Sequence, residues 1–158
     1  MDYKDILNRI DNTAKILVGL GEKICDLEQY NKMAEILKGK DYYILSLDGT
    51  DTITKSEIEN DRFAIPMFDL EDDTRWNEYL KWLQNTVNKD LLILEIGVGF
   101  TNPEIIRFPF EKVAMYNNKA HFIRVDKNFY QLAKEISDKG EALKSDGNEF
   151  VNNLWNAR

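Results

Sequence analysis

The chain of 158 residues is 43% hydrophobic and 31% charged, ordinary globular proportions that exclude wholesale disorder. A net charge of −7 and a pI near 4.8 argue against a general nucleic-acid or anionic-membrane binder, since phosphate contacts are supplied by Lys and Arg. Cys25 is the only cysteine, which excludes an intrachain disulfide and a cysteine-based zinc site and suits a reducing compartment.

The N-terminus, from Met1 to Asp5, is charged and has no apolar signal core, and no apolar run approaches a membrane span. These features lead to the expectation of a cytoplasmic protein with no membrane partner, and the length fits one domain over residues 1–158. Ile6, Leu7 and Ile10 have helical spacing, and Lys15 to Gly19 then reads as a strand closed by Gly19-Leu20-Gly21. Leu27, Tyr30, Ala34 and Leu37 predict a helix up to Gly39. Tyr42 to Leu47 predicts a second strand, ended by Asp48-Gly49.

Residues 49–72 are the most loop-like part, and Pro66 confines the apolar run from Arg62 to Phe68 to an edge or an irregular segment. Acidic residues from Asp69 to Asp73 cap a helix whose apolar face is Trp76, Tyr79, Leu80, Leu83 and Val87, with Trp82 at the margin. Leu91 to Ile96 is almost continuously aliphatic, the pattern of a strand buried on both faces of a parallel sheet. It runs into Gly97-Val98-Gly99. After Pro103 a helix extends to Tyr116, with a break or restart at Pro109. Ala120 to Val125 is a further strand ended by Asp126. Phe129, Leu132, Ala133 and Ile136 predict an amphipathic helix stopped near Gly140, and Glu141 to Lys144 is a weak fifth strand. Asp146 and Glu149 have capping-box spacing in front of Phe150, Val151, Leu154 and Trp155. Strands alternating with helices imply an α/β fold, a three-layer, doubly wound, Rossmann-like parallel sheet.

In such a sheet the ligand crevice lies beyond the carboxyl ends of the strands, where strand order reverses. That rule selects Gly19, Gly21, Asp48, the loop from Gly97 through Gly99, Phe100, Thr101 and Asn102, then Asp126 and Asp146. Two Gly-x-Gly turns offer free amides suited to a diphosphate, and Asp126 suits a ribose diol. Each has a plainer reading, since Gly19 and Gly21 also make a tight turn and Asp126 and Asp146 also cap helices. Arg107, one turn past the loop, has the reach for a phosphate or for an exposed ion pair. Glu95, a charge inside an apolar strand, calls for a hydrogen-bonding partner and reads as a polar anchor. His121, the only histidine, stands at the wrong end of its strand to act as a base in the crevice.

The order of these pieces resembles the sirtuin family, NAD-dependent protein deacylases and ADP-ribosyltransferases, most strongly over residues 75–155. Glu95 to Pro103, followed by Ile105 to Glu111, is similar to the signature of the branch linked to macrodomain proteins in microbes, with Thr101 and Asn102 in reversed order. Ile123 to Asp126 resembles the family's segment beside the adenine ribose, with Arg124 in the place of its asparagine, and Ser145 to Gly147 resembles the segment closing over the adenine. In the first half Gly19 to Gly21 corresponds to the family's Gly-Ala-Gly-x-Ser, but Glu22 and Lys23 replace the small residues. Ser46 to Thr50 corresponds to its Thr-x-Asn-x-Asp, without the asparagine. The catalytic His-Gly pair and the zinc cysteines are missing. The resemblance implies a truncated, degenerate member that binds NAD or ADP-ribose as a pseudoenzyme, without zinc or deacylase activity. An alternative is an active NAD-consuming transferase, deacylase or hydrolase using Asp48 or Glu22. Another is an interaction scaffold for a protein partner, its crevice filled by side chains such as Phe100 and Leu20.

Overall fold

Residues 2–158 are described by a computed structural model. The first helix, α1 (Tyr3–Asn12), starts at Asp2, which forms a capping box with Asp5, and it buries Ile6 and Ile10. The aliphatic run β1 (Lys15–Leu20) leads to α2 (Leu27–Ile36), opened by a second reciprocal cap between Asp26 and Gln29. Then follow β2 (Asp41–Ser46), a 3-10 turn over Thr52–Lys55, a two-residue strand β3 (Phe63–Ala64), α3 (Thr74–Gln84), β4 (Leu91–Ile96) and α4 (Arg107–Tyr116). The chain ends with β5 (Ala120–Asp126), a 3-10 turn over Lys134–Ile136, β6 (Gly140–Lys144) and α5 (Gly147–Asn156).

All strand pairs are parallel and the order is β3-β2-β1-β4-β5-β6. The order reverses between β1 and β4, as in a Rossmann-like doubly wound sheet, so the fold class expected from the sequence is the one found. Alternation along the central strands divides the core. Ile16, Val18, Leu92, Leu94, Ile123 and Val125 pack under α1, α2 and α5, while Leu17, Ile93 and Phe122 pack under α3 and α4.

Four local expectations are corrected. The sheet has six strands, because Phe63 and Ala64 pair with Ile44 and Leu45 before Pro66 ends the edge. Pro109 does not break a helix begun at Glu104. It is the third residue of α4, where its missing N–H is one of the donors a helix start leaves unpaired anyway. On α3, Trp82 turns inward, donating its indole N–H to Asp41 and packing on Tyr43, whereas Val87 lies past the helix end and is exposed.

The fourth correction concerns Lys127 to Ala133, which do not form the expected helix. Asp126 Oδ1 accepts the amides of Asn128 and Phe129, Arg107 donates to the Phe129 carbonyl, and Arg124 donates to that of Gln131. The two amides on Asp126 are those a helix start would also leave for a cap, but Arg107 and Arg124 take carbonyls a helix would have paired, and the segment stays irregular until Lys134.

Candidate functional site at the strand ends

Parallel strands bring the carboxyl ends of β1, β2, β4 and β5 to one edge, with the start of α5 beside them. At its centre the two glycine turns interlock. The Gly21 amide donates to the Ile96 carbonyl at 2.9 Å, and the Gly97 amide to that of Val125 at 2.7 Å, so the ladder continues past the strands. A Cβ on Gly21 would sit 1.8 Å from the Gly97 carbonyl oxygen, so the close approach of the two loops requires glycine. Gly19 lies inside β1, where a Cβ would meet Phe110 and Ile106 at 2.6 and 2.8 Å, and its smallness seats α4 on the sheet.

Gly97 is left-handed (φ 63°), and a Cβ there would meet Ile24 Cδ1 at 2.3 Å. Ile24 also reaches Gly147, whose Cβ position is 3.0 Å from the same methyl carbon. The side chain of Ile24 therefore fills the space between the β4 loop and the start of α5. Nothing in the sequence marks it, since it is one aliphatic residue in a polar loop. Asp146 caps α5 by accepting the Asn148 amide at 2.9 Å.

Two residues past Gly97 the loop is less tightly packed. Gly99 (φ 58°) has ordinary clearance, with Phe129 3.6 Å and Asp126 Oδ2 3.8 Å from its Cβ position. Asp126 holds the loop after β5 through Oδ1 and presents Oδ2 to Gly99. Arg107 is buried at the start of α4, with its guanidinium 4.0 Å from the centre of the Phe100 ring. Its Nη1 donates to the carbonyls of Gly99 at 3.4 Å and Phe129 at 3.2 Å. Burial and the neighbouring Arg124 lower its pKa against the opposing charges of Glu95, Glu111 and Asp126. Thr101 is exposed, and Asn102 (φ 50°) places its amide 3.9 Å from the sulfur of Met67.

Beneath α4, Glu95 has the partner its position demanded. Arg124 donates from Nε and Nη2 to the two carboxylate oxygens, at 2.6 and 3.1 Å, and lies 3.5 Å from Glu111. Burial raises the Glu95 carboxyl above its ordinary value, against the pull of Arg124. A signal for the pair exists in the sequence, for each is the fifth residue of its strand and the two are in register.

Toward β2 the edge carries Ser46, hydrogen-bonded to Tyr30 at 3.2 Å, and Asp48, which accepts from the Thr50 hydroxyl at 3.1 Å. Cys25 is buried beside them, its thiol pushed up to about 12 by burial and by Asp26 and Asp48. Glu22 is exposed. His121 stands at the opposite end of β5, 2.8 Å from Glu141. Among the described residues no group of three or more His, Cys, Asp and Glu is placed to hold a metal ion, and no helix is long and apolar enough to cross a membrane.

Fold and edge together define a Rossmann-like α/β protein in which the β1 and β4 loops meet at the point where the strand order reverses. No family model matches the chain. It is similar to a protein ADP-ribosyltransferase of Staphylococcus aureus, 27% identical over 78 residues, which make up 49% of this chain and 25% of that protein. The aligned stretch is thus about half of this chain and a quarter of its relative, a distant likeness to an ADP-ribosyl-transferring protein.

Proposed function

We propose that this chain is a sirtuin-like domain that binds NAD or ADP-ribose at the β1–β4 switch point without deacylase activity. The observation that carries the reading is the pairing of Gly99 with Asp126. A left-handed glycine whose Cβ position has only ordinary contacts faces a carboxylate oxygen, on the strand-end edge beside the β1–β4 switch point where a Rossmann-like sheet binds nucleotides. The amides following Gly97 would receive the diphosphate and Asp126 Oδ2 the ribose diol. Gly19, Gly21 and Asp146 support the loops from behind, and Arg107 joins the Gly99 and Phe129 backbones. The likeness to an ADP-ribosyltransferase supports the same ligand class. The distance of His121 from this edge favours binding over base-assisted deacylation.

The test is thermal unfolding with and without ADP-ribose, repeated on Gly99→Ala. The new methyl group meets only ordinary contacts but enters the space beside Asp126, at about 1–2 kcal/mol for the left-handed backbone. ADP-ribose raises the melting temperature of the parent chain and raises that of the variant much less. An unchanged parent melting curve at millimolar ligand argues decisively against the reading. Nicotinamide release from NAD that is lost in Asp48→Ala would instead support an active enzyme.

A second reading, an interaction module with a closed crevice, is favoured by the seat of Ile24 between Gly97 and Gly147. Ile24→Ala distinguishes the two. If Ile24 is a plug, ADP-ribose binds the variant and not the parent.

A further inference from the structure

Three half-exposed phenyl rings cluster near Gly99 and Asp126. Phe100 is 50% exposed, Phe129 47% and Phe108 46%, an unusual concentration of apolar surface on a loop edge. Phe100 and Phe129 meet edge to face with centroids 5.1 Å apart, and Phe108 lies 6.5 Å from Phe100. Two contacts fix the first pair. Arg107 covers Phe100 with its guanidinium while bridging the carbonyls of Gly99 and Phe129, so both loops hang on one side chain. Asp126 Oδ1 holds the Phe129 amide, and the other oxygen of the same carboxylate faces Gly99. A ribose held by Asp126 would carry its base next to these rings.

We infer that Phe100 and Phe129 form the apolar seat of the adenine of ADP-ribose, one ring offering its face and the other, nearly perpendicular, its edge. The inference rests on the nucleotide-binding reading above and deepens it. Stacking on a phenyl ring asks for a flat base and reads little of its hydrogen-bonding edge, so the seat secures the adenosine end without strong preference among bases.

Calorimetric titration of ADP-ribose into the parent chain and into Phe100→Leu, Phe129→Leu and Phe129→Tyr tests it. Leucine keeps much of the apolar volume and loses the flat face. The leucine variant of the stacking ring raises the Kd about 5- to 150-fold, the factor matching an ordinary base–aromatic contact, the other leucine variant raises it less, and the tyrosine variant binds like the parent. Both rings are half exposed, and melting curves establish that the variants fold. Parent binding with unchanged affinity in both leucine variants overturns the seat alone. Failure of the parent to bind ADP-ribose overturns both readings.

Discussion

Replacing Arg124 by Met isolates the charge pair that joins β4 to β5 below the crevice. Glu95 is 1% exposed and Arg124 is wholly buried, so neither charge is relieved by water. Removing one partner of such a pair costs about 3–5 kcal/mol, while the Gln131 carbonyl, on an exposed residue, can turn to water. Against a total stability of roughly 5–15 kcal/mol, the change takes a large share. The loss also depends on pH. Burial already holds the Glu95 carboxyl above its ordinary value, and without Arg124 it rises further. A carboxyl raised in the folded state contributes stability that is fully present below its unfolded pKa and is lost as pH rises through the folded one. The variant therefore lies closest to the parent in acid and furthest from it at alkaline pH. Urea unfolding of both chains at pH 5 and pH 8 measures the gap. A gap equal at both pH values, or below about 1 kcal/mol at pH 8, refutes the reasoning.

Gly21→Ala should cost on the order of 3 kcal/mol or more, because its methyl group needs the space of the Gly97 carbonyl and parting the loops breaks the Gly21–Ile96 hydrogen bond. Gly49→Ala, where a Cβ meets nothing within 4 Å, serves as the control in the same melting experiment. The Cys25 thiol, buried and pushed up to about 12, should resist alkylation at pH 8 in the native chain and react promptly in urea. Rapid native labelling would show that the loop carrying it opens.

Most of the fold was legible because aliphatic runs and glycine stops fall where central strands begin and end. The strand Leu91–Ile96 and its turn at Gly97 are the clearest case. What stayed hidden depends on contacts between distant segments. The spacing of Phe129, Leu132 and Ala133 is helical, yet Arg107 and Arg124 take the carbonyls of Phe129 and Gln131 that a helix would have paired. A two-residue edge strand at Phe63 leaves too short a pattern to read. At the crevice the sequence singled out the glycines but not their separate tasks. Gly19 seats α4, Gly21 admits the neighbouring loop, Gly97 turns against Ile24, and Gly99 makes only ordinary contacts, one of them with the Asp126 carboxylate. Those differences follow from strand register and helix placement, which no single motif encodes.

Titration calorimetry with ADP-ribose and then NAD measures whether the β4 and β5 loops bind an ADP-ribosyl nucleotide. The expected result is saturable binding to the parent chain that is sharply weakened in Gly99→Ala. At 100 times the Kd, that binding adds about 2.7 kcal/mol of stability, a rise on the order of 5–10 °C in melting temperature. A titration with no heat and no melting shift at millimolar ADP-ribose would contradict it.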